Sequence, residues 1–516
     1  MSPWWVQVDG LDARLRTTIR RGSAAVWAGC LFAFLGFVSP TVIAYTPYSL
    51  SWDEAYYLHR AICMNHAFYD VSLSRVAECL AGTHKGPIVE LINLPWGKAG
   101  GTYAGIGLAF VGLALFIWLM VVATFLTCVR SGIPRIALLL AAASIGLIPF
   151  LRLTAGDMMT DALLGWSVAL GLMLIPLEYN HPQAGFWPGV LRGLLWGFAI
   201  DVGMLSKVTF GFFVVAIGLT LLFIRWRRSG IKPLAGSLAG CLAAATPAIL
   251  ICLVYGRNFL RFAILAAGDL AQFYSVPGMN AVGYLWRYFS GLSWALIPLL
   301  PLLVLFIRGL LVEKQGRLVR LIPISIIFGY LITASTSQNR DVRFTIPAMI
   351  AVPLCLAWTS SKSEGMVFSP SLILAGLLAV TLCSVPMVNR PDIGPIKRIG
   401  ELLGALSRGR PTAVVLATDG VLFNVETVEL ARQLGGDYLQ PIRVETLVYF
   451  EFSKRSLADG LDRIDKADYV LFLKPGHSPG PDWTMTRAKD YRAYCEKIGT
   501  LMSAQVSPDF DVFKIH

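Results

Sequence analysis

The feature that most limits what this chain can fold into is a series of long apolar runs separated by short basic connections. The first extends from about Ser23 to Tyr45 and follows Arg14, Arg16, Arg20 and Arg21. At about 1.5 Å per residue, a run of that length crosses a bilayer core of about 30 Å. Ten more follow, near Tyr103 to Val129, Pro134 to Leu151, Met158 to Leu177, Val190 to Ser206, Val208 to Ile224, Pro233 to Tyr255, Gly291 to Ile307, Leu321 to Ser335, Thr345 to Trp358 and Pro370 to Met387. If all are spans, every second connection should be basic. Arg130 and Arg135, then Arg225, Arg227, Arg228 and Lys232, then Arg308, Lys314, Arg317 and Arg320 all fall on the same expected inner side. No small-residue cleavage site follows the first run, which therefore reads as an uncleaved span with its amino end in the cytoplasm. About eleven transmembrane helices with the carboxyl end outside fit the pattern.

Composition supports this. The chain of 516 residues is 55% hydrophobic and 15% charged, with a mean hydropathy of +0.62, which excludes a water-soluble globule. The net charge of +12, from 44 Lys and Arg against 32 Asp and Glu, is what the loops of a polytopic protein carry; no nucleic acid need be invoked. Six of the nine cysteines sit in or beside apolar runs, where a thiol acts as a small hydrophobe. Cys63 and Cys79 share the first outer loop, 46–102, where an oxidising compartment would permit a disulfide.

The texture changes after Pro386. "RPTAVVLATDG", "ADYVLFLKPG" and "FDVFKIH" are β-branched or aromatic runs, mostly ended by turn residues, whereas "VETVELARQLGG" and "MTRAKDYRAYCEKIGTL" have helical spacing. The alternation predicts a small α/β domain over 389–516, outside the cytoplasm, after a membrane module over 1–388. "ATDG" invites a nucleotide-binding reading, but the glycine-rich phosphate loop that would support it is absent.

Ionisable groups near hydrocarbon are costly and therefore usually have a partner or a task. On the expected outer face these are Asp53, Glu54, His59 and Arg60 in the first loop, then His84, Lys85 and Glu90, then Arg152, Asp157 and Asp161, then Lys207, and last Arg340, Asp341 and Arg343. The two pieces Glu54 to Phe68 and Lys85 to Trp96 are too short to span and suit the interface, where Tyr56, Tyr57 and Trp96 would anchor. Acids and bases at an interfacial cleft suit a substrate that is half lipid and half sugar. His59, His66 and His84 lack the spacing of a zinc helix, so no cofactor is assigned and a divalent cation held by His84 with Glu54 or Asp161 stays open. Asp201, within an expected span, reads as a hydrogen-bonded packing residue.

"WDEAYYL", "HKGPIVELI", "RLTAGDMMTDALLG", "LSKVTFG" and "RDVRFTIP" occur in an order that resembles the GT-C glycosyltransferases of the dolichyl-phosphate-mannose-protein mannosyltransferase type, which include the bacterial aminoarabinose transferases of lipid A. Gly86 and Val208 depart from the family pattern. The resemblance implies a GT-C-like membrane module in the inner (plasma) membrane that moves a sugar from a polyprenyl-phosphate donor to an acceptor hydroxyl on a lipid, glycan or protein, with inversion. It makes Asp53 the base, with Glu54 supporting it or binding a cation, and Asp161 the residue that orients the acceptor or holds Lys85. Lys85, Lys207 and Arg343 would meet phosphate charge, or the two lysines would simply snorkel; His84, Asp157 and Arg340 complete the substrate-binding set. A transporter or flippase of a lipid-linked sugar is the rival reading, but transporters tend to carry charges at the midplane and repeated halves, whereas here the charges gather at one face.

Overall fold

The computed structural model describes residues 46–49, 52–81, 86–148, 151, 160–267, 280–292, 295–312, 316–336, 342–360, 389–392, 394–420, 423–435, 439, 441–447, 456–477 and 487–516. The expected spans beginning near Ser23 and Pro370 lie outside these residues. In chain order, β1 (Thr46–Ser49), α1 (Trp52–Tyr69), α2 (Leu73–Ala81) and α3 (Ile88–Asn93) precede a 3₁₀ helix, Leu94–Gly101. The apolar series follows as α4 (Tyr103–Arg130), α5 (Arg135–Gly146), α6 (Asp161–Asn180), α7 (Phe186–Ser206) and α8 (Gly211–Ser229). It continues with α9 (Ile231–Ala244), α10 (Thr246–Ala267), α11 (Ala281–Leu292), α12 (Leu296–Val312), α13 (Arg317–Thr336) and α14 (Ile346–Thr359).

Among the described residues, four helices are long and apolar enough to cross a membrane, namely α4, α6, α7 and α13, or up to six if α9 with α10 and α11 with α12 each form one span. The chain is thus a mostly helical, multi-pass membrane protein. The run from Pro233 to Tyr255 is not one straight span: α9 and α10 meet at 61°. Pro247, in the first turn of α10, lacks the N–H that would continue the ladder and clashes with the preceding turn. Asp201 Oδ1 accepts the Ala248 N–H at 2.8 Å, so this carboxylate satisfies one of the donors that the broken helix leaves unpaired.

The chain divides into two compact units that do not follow sequence order. One holds 83–88 and 113–388 with the amino terminus; the other holds 45–82, 89–112 and 389–516. The first outer loop, expected with the membrane module, therefore clusters mostly with the carboxyl-terminal segment.

In the helical unit α6 is central, buried almost along its length, and packs against α7, α8 and α14. The α7/α9 pair is a small-residue seam. A Cβ at Gly189, Gly193 or Gly197 would lie 2.4, 2.0 or 2.4 Å from the Pro233, Ser237 or Cys241 carbonyl oxygen, so the spacing of four lets the two backbones touch.

The other unit contains β2 (Asn389–Asp392), α15 (Gly394–Ser407), β3 (Thr412–Leu416), α16 (Val425–Leu434), β4 (Ile442–Thr446), α17 (Leu457–Asp465), β5 (Tyr469–Leu473), α18 (Ala488–Ile498), β6 (Gly499–Leu501) and β7 (Phe510–Ile515). Its five-stranded sheet has the order β4-β3-β5-β7-β6, with β3 parallel to both neighbours and β7 antiparallel to both of its own. Val415, Val470, Phe472 and Phe513 from the strands meet Ile464, Tyr491 and Cys495 from the helices in its core. In the same unit α1 packs on α16, β1 pairs in parallel with β2, and Cys63 is bonded to Cys79.

Candidate functional site

Asp161 is the first residue of α6 and is 1% exposed. Lys207 ends α7, where its extended backbone (φ −152°) stops the helix while its N–H still bonds the Gly203 carbonyl at 3.0 Å. The side chains meet: Lys207 Nζ donates to Asp161 Oδ1 at 2.5 Å. One residue earlier on each strand of chain, Thr160 Oγ1 donates to the Ser206 carbonyl at 3.1 Å. Consecutive bonds therefore tie the start of α6 to the end of α7. Lys207 Nζ also lies 5.6 Å from the Phe344 ring centroid, which sets it beside the 3₁₀ turn Val342–Thr345 that carries Arg343.

The exposure of its cation separates this pair from an inert clasp. The Lys207 side chain is 20% exposed, and an ammonium has three donors, so the cation can take another acceptor. Asp161 Oδ2 is buried without a hydrogen-bond partner among the described residues.

Gly86 explains one departure from the family pattern. A Cβ there would sit 1.9 Å from the Leu205 carbonyl oxygen and 2.9 Å from the Ser206 carbonyl carbon. Only glycine lets this backbone lie against the last turn of α7, directly before Lys207.

The opposite end of α6 holds a cluster that sequence reasoning missed, because Arg225 read there only as a basic residue of the inner side. Arg225 Nη1 donates to Glu178 Oε2 at 2.8 Å with both side chains sealed from solvent, and Arg192 Nε stands 3.4 Å from Glu178 Oε1. No sequence spacing signals a triad drawn from three helices.

In the other unit, Asp53 and Glu54 lie in the first turn of α1. The Asp53 side chain is outside the described set, and Glu54 is buried. His59 Nε2 lies 2.8 Å from Glu426 Oε2 on α16, and Arg60 Nε stands 3.8 Å from Glu90. Tyr56 and Tyr57 are buried, their rings edge to face, with Tyr56 also edge-on to His59. They are core of this unit, which corrects the expectation that they anchor in the interface: α16, α2 and the 3₁₀ segment pack on the helix that carries them.

His84, Lys85, Arg152, Asp157, Arg340 and Asp341 lie outside the described residues. Among those described, no three His, Cys, Asp or Glu side chains gather as a metal site. Asp419, after β3, is fully buried with neither carboxylate oxygen hydrogen-bonded among the described residues. Burial first, and then the charge of Glu426, push its carboxyl well above the ordinary range. Burial also pushes Glu429 upward, but the Arg432 guanidinium bonded to it and the nearby His59 outweigh that and hold it low.

No protein-family model matches this sequence, and no characterised protein matches it by sequence. Solved structures do match in fold. ArnT from Cupriavidus metallidurans in the apo state superimposes with a TM-score of 0.56 at 13% identity over 94% of this chain and 97% of that one. The same protein bound to undecaprenyl phosphate gives 0.54 at 13% identity over 95% and 98%. An oligosaccharyltransferase from Archaeoglobus fulgidus aligns with 87% of this chain and 68% of its own length at 13% identity and a TM-score of 0.45. This chain has an ArnT-like fold along nearly its whole length, in line with the resemblance read from the sequence.

Proposed function

We propose that this protein is a membrane glycosyltransferase that moves a sugar from a polyprenyl-phosphate donor to an acceptor hydroxyl on a lipid, glycan or protein, at the extracytoplasmic face of the inner membrane. The observation that carries the reading is the Asp161–Lys207 pair: a cation at the end of an apolar helix, held by a buried acid yet one-fifth open to an incoming anion. The fold of ArnT, one of whose crystals holds undecaprenyl phosphate, supports a polyprenyl-phosphate ligand. The Cys63–Cys79 disulfide supports an oxidising location for 45–82. In this topology the amino terminus is cytoplasmic, 1–388 forms the membrane module and 389–516 lies outside.

The chemistry follows from the leaving group. As the bond from the anomeric carbon to the phosphate oxygen breaks, the electron pair stays with the phosphate, so the site needs fixed positive charge and no strong acid. Lys207 supplies it, with Arg343, Lys85 and Arg340 as further cations. The acceptor oxygen attacks from the opposite face and loses its proton to Asp53, a general-base contribution typically worth about 10²- to 10⁴-fold. Glu54 supports Asp53, while Asp161 orients Lys207 and offers its second oxygen to a hydroxyl. His84 and Asp157 contact substrate. One displacement inverts the anomeric centre.

Mass spectrometry of lipids retained by the purified protein tests this, comparing wild type with Asp53→Asn. Sugar-bearing polyprenyl phosphate in the variant and bare carrier in wild type is the expected result. Equal loading of the sugar-bearing lipid in both would instead indicate transport, and the absence of any polyprenyl phosphate from both would sink the reading.

A further inference from the structure

Asp53 and Glu54 lie between two attachments to the carboxyl-terminal part of the chain. Before them, Thr46, Pro47, Tyr48 and Ser49 pair in parallel register with Asn389, Arg390, Pro391 and Asp392. After them, His59 Nε2 meets Glu426 Oε2 at 2.8 Å. That second attachment is nearly closed to solvent, the two side chains being 12% and 14% exposed. It is also local: α1 packs on α16, and Glu426 lies in the first turn of α16, where an anion is favoured by the helix dipole. Asn424, accepting the Glu426 and Thr427 N–H groups at 3.0 Å, fixes that turn. Within α1, Tyr56 stacks edge-on against His59 and limits its rotation.

The first turn of α1, which carries both carboxylates, thus lies between two attachments to the same segment. We infer that the carboxyl-terminal segment is a positioning device for the first-loop carboxylates, acting through the β1–β2 pair and the His59–Glu426 bond, with His59 and Glu426 as positioning residues. This rests on the reading of Asp53 as the base. Neither residue touches substrate in this account. Their effect is to hold the first turn of α1 in one place, and a base displaced by about 1 Å loses much of its advantage.

Two measurements test it. Hydrogen–deuterium exchange on the full chain in lipid nanodiscs, for wild type, His59→Gln, Glu426→Gln and the double variant, reads the attachment alone. Exchange over 52–62 should rise about tenfold in each single variant, as expected for loss of a charge-assisted bond, and rise no further in the double. Lys466→Ala, which breaks the exposed Lys466–Asp462 pair, should leave 52–62 unchanged. Unchanged exchange in the single variants, or additive increases in the double, would overturn the attachment.

The second measurement is the ratio of sugar-bearing to bare polyprenyl phosphate retained by the same variants. A positioning role raises that ratio toward the Asp53→Asn value while total lipid per protein stays constant. A merely structural role lowers total lipid, and that result, or a wild-type ratio, refutes the inference. If Asp53→Asn itself retains no sugar-bearing lipid, the proposed reaction has failed, and the exchange data still decide whether the attachment exists.

Discussion

The two ends of α6 carry a carboxylate each, and they are treated differently. Glu178 is sealed, with Arg225 at 2.8 Å and Arg192 at 3.4 Å. Asp161 is as deeply buried, but among the described residues its cation is Lys207, which is partly open to water. Asp419, in the other unit, is buried with no cation bonded to it among the described residues. A buried carboxylate can be balanced by two sealed cations, by one cation that stays open to another charge, or by keeping its proton. Two cations around a sealed carboxylate suit structure, since no ligand can reach them, even though Glu178 Oε1 and Arg225 Nε and Nη2 make no hydrogen bond among the described residues. The pair with the open cation is where an anionic ligand gains most.

Four substitutions probe how these sites differ. Glu178→Gln should have the largest effect on folding, because two guanidinium groups lose their counter-charge in a dry helix interface. Removing one partner of such a pair costs about 3 to 5 kcal/mol, to be read as a lower unfolding temperature and yield of the full chain in detergent. Next, Lys207→Met should lower the rate of sugar release from the donor by about 10²- to 10³-fold, the scale of losing one charge-stabilising group. Its unfolding temperature should fall less than that of Glu178→Gln; equal falls would remove the distinction between the two ends.

Gly86→Ala should come third. Its Cβ would strike the Leu205 carbonyl, and overpacking of this kind costs about 1 to 3 kcal/mol. The displaced element is the last turn of α7, so transfer should fall along with stability, while Gly107→Ala, where a Cβ meets nothing within 4 Å, should do neither.

The smallest effect concerns Asp419. Its folded-state pKa is raised above the ordinary 3.8, so its contribution is fully present below that value and is lost as pH rises through the raised one. The unit that contains it should therefore melt at a lower temperature at pH 8 than at pH 5, and Asp419→Asn should flatten the dependence. An unchanged slope in the variant would assign the dependence to other groups.

Much of the local structure was legible. The runs "TAVVL", "YVLFL" and "FDVFKI" are β3, β5 and β7, because β-branched and aromatic residues between turn signals have few other stable conformations. The apolar runs among the described residues became helices, the one over 233–255 broken into two, because backbone polar groups in hydrocarbon must bond within their own segment. Lys207 and Asp161 were selected as chemically expensive residues near hydrocarbon, and that cost is a property of residue type and surroundings alone. Their partnership was not legible, since 46 residues separate them. Tyr56 and Tyr57 misled for a related reason: an aromatic pair looks the same in sequence whether a bilayer interface or α16 covers it.

Hydropathy, backbone hydrogen bonding and the cost of buried charge act over a few residues, so the sequence alone showed a multi-pass membrane protein, the helical character of most of its apolar runs and which residue types had to find partners. Only the tertiary structure decided which partners they found. It joined Asp161 to Lys207 and sealed Glu178 between two arginines. It also folded the first loop with the carboxyl-terminal sheet, so that β1 pairs with a strand more than three hundred residues away. Such pairings follow from the simultaneous packing of distant surfaces, and no local pattern encodes them.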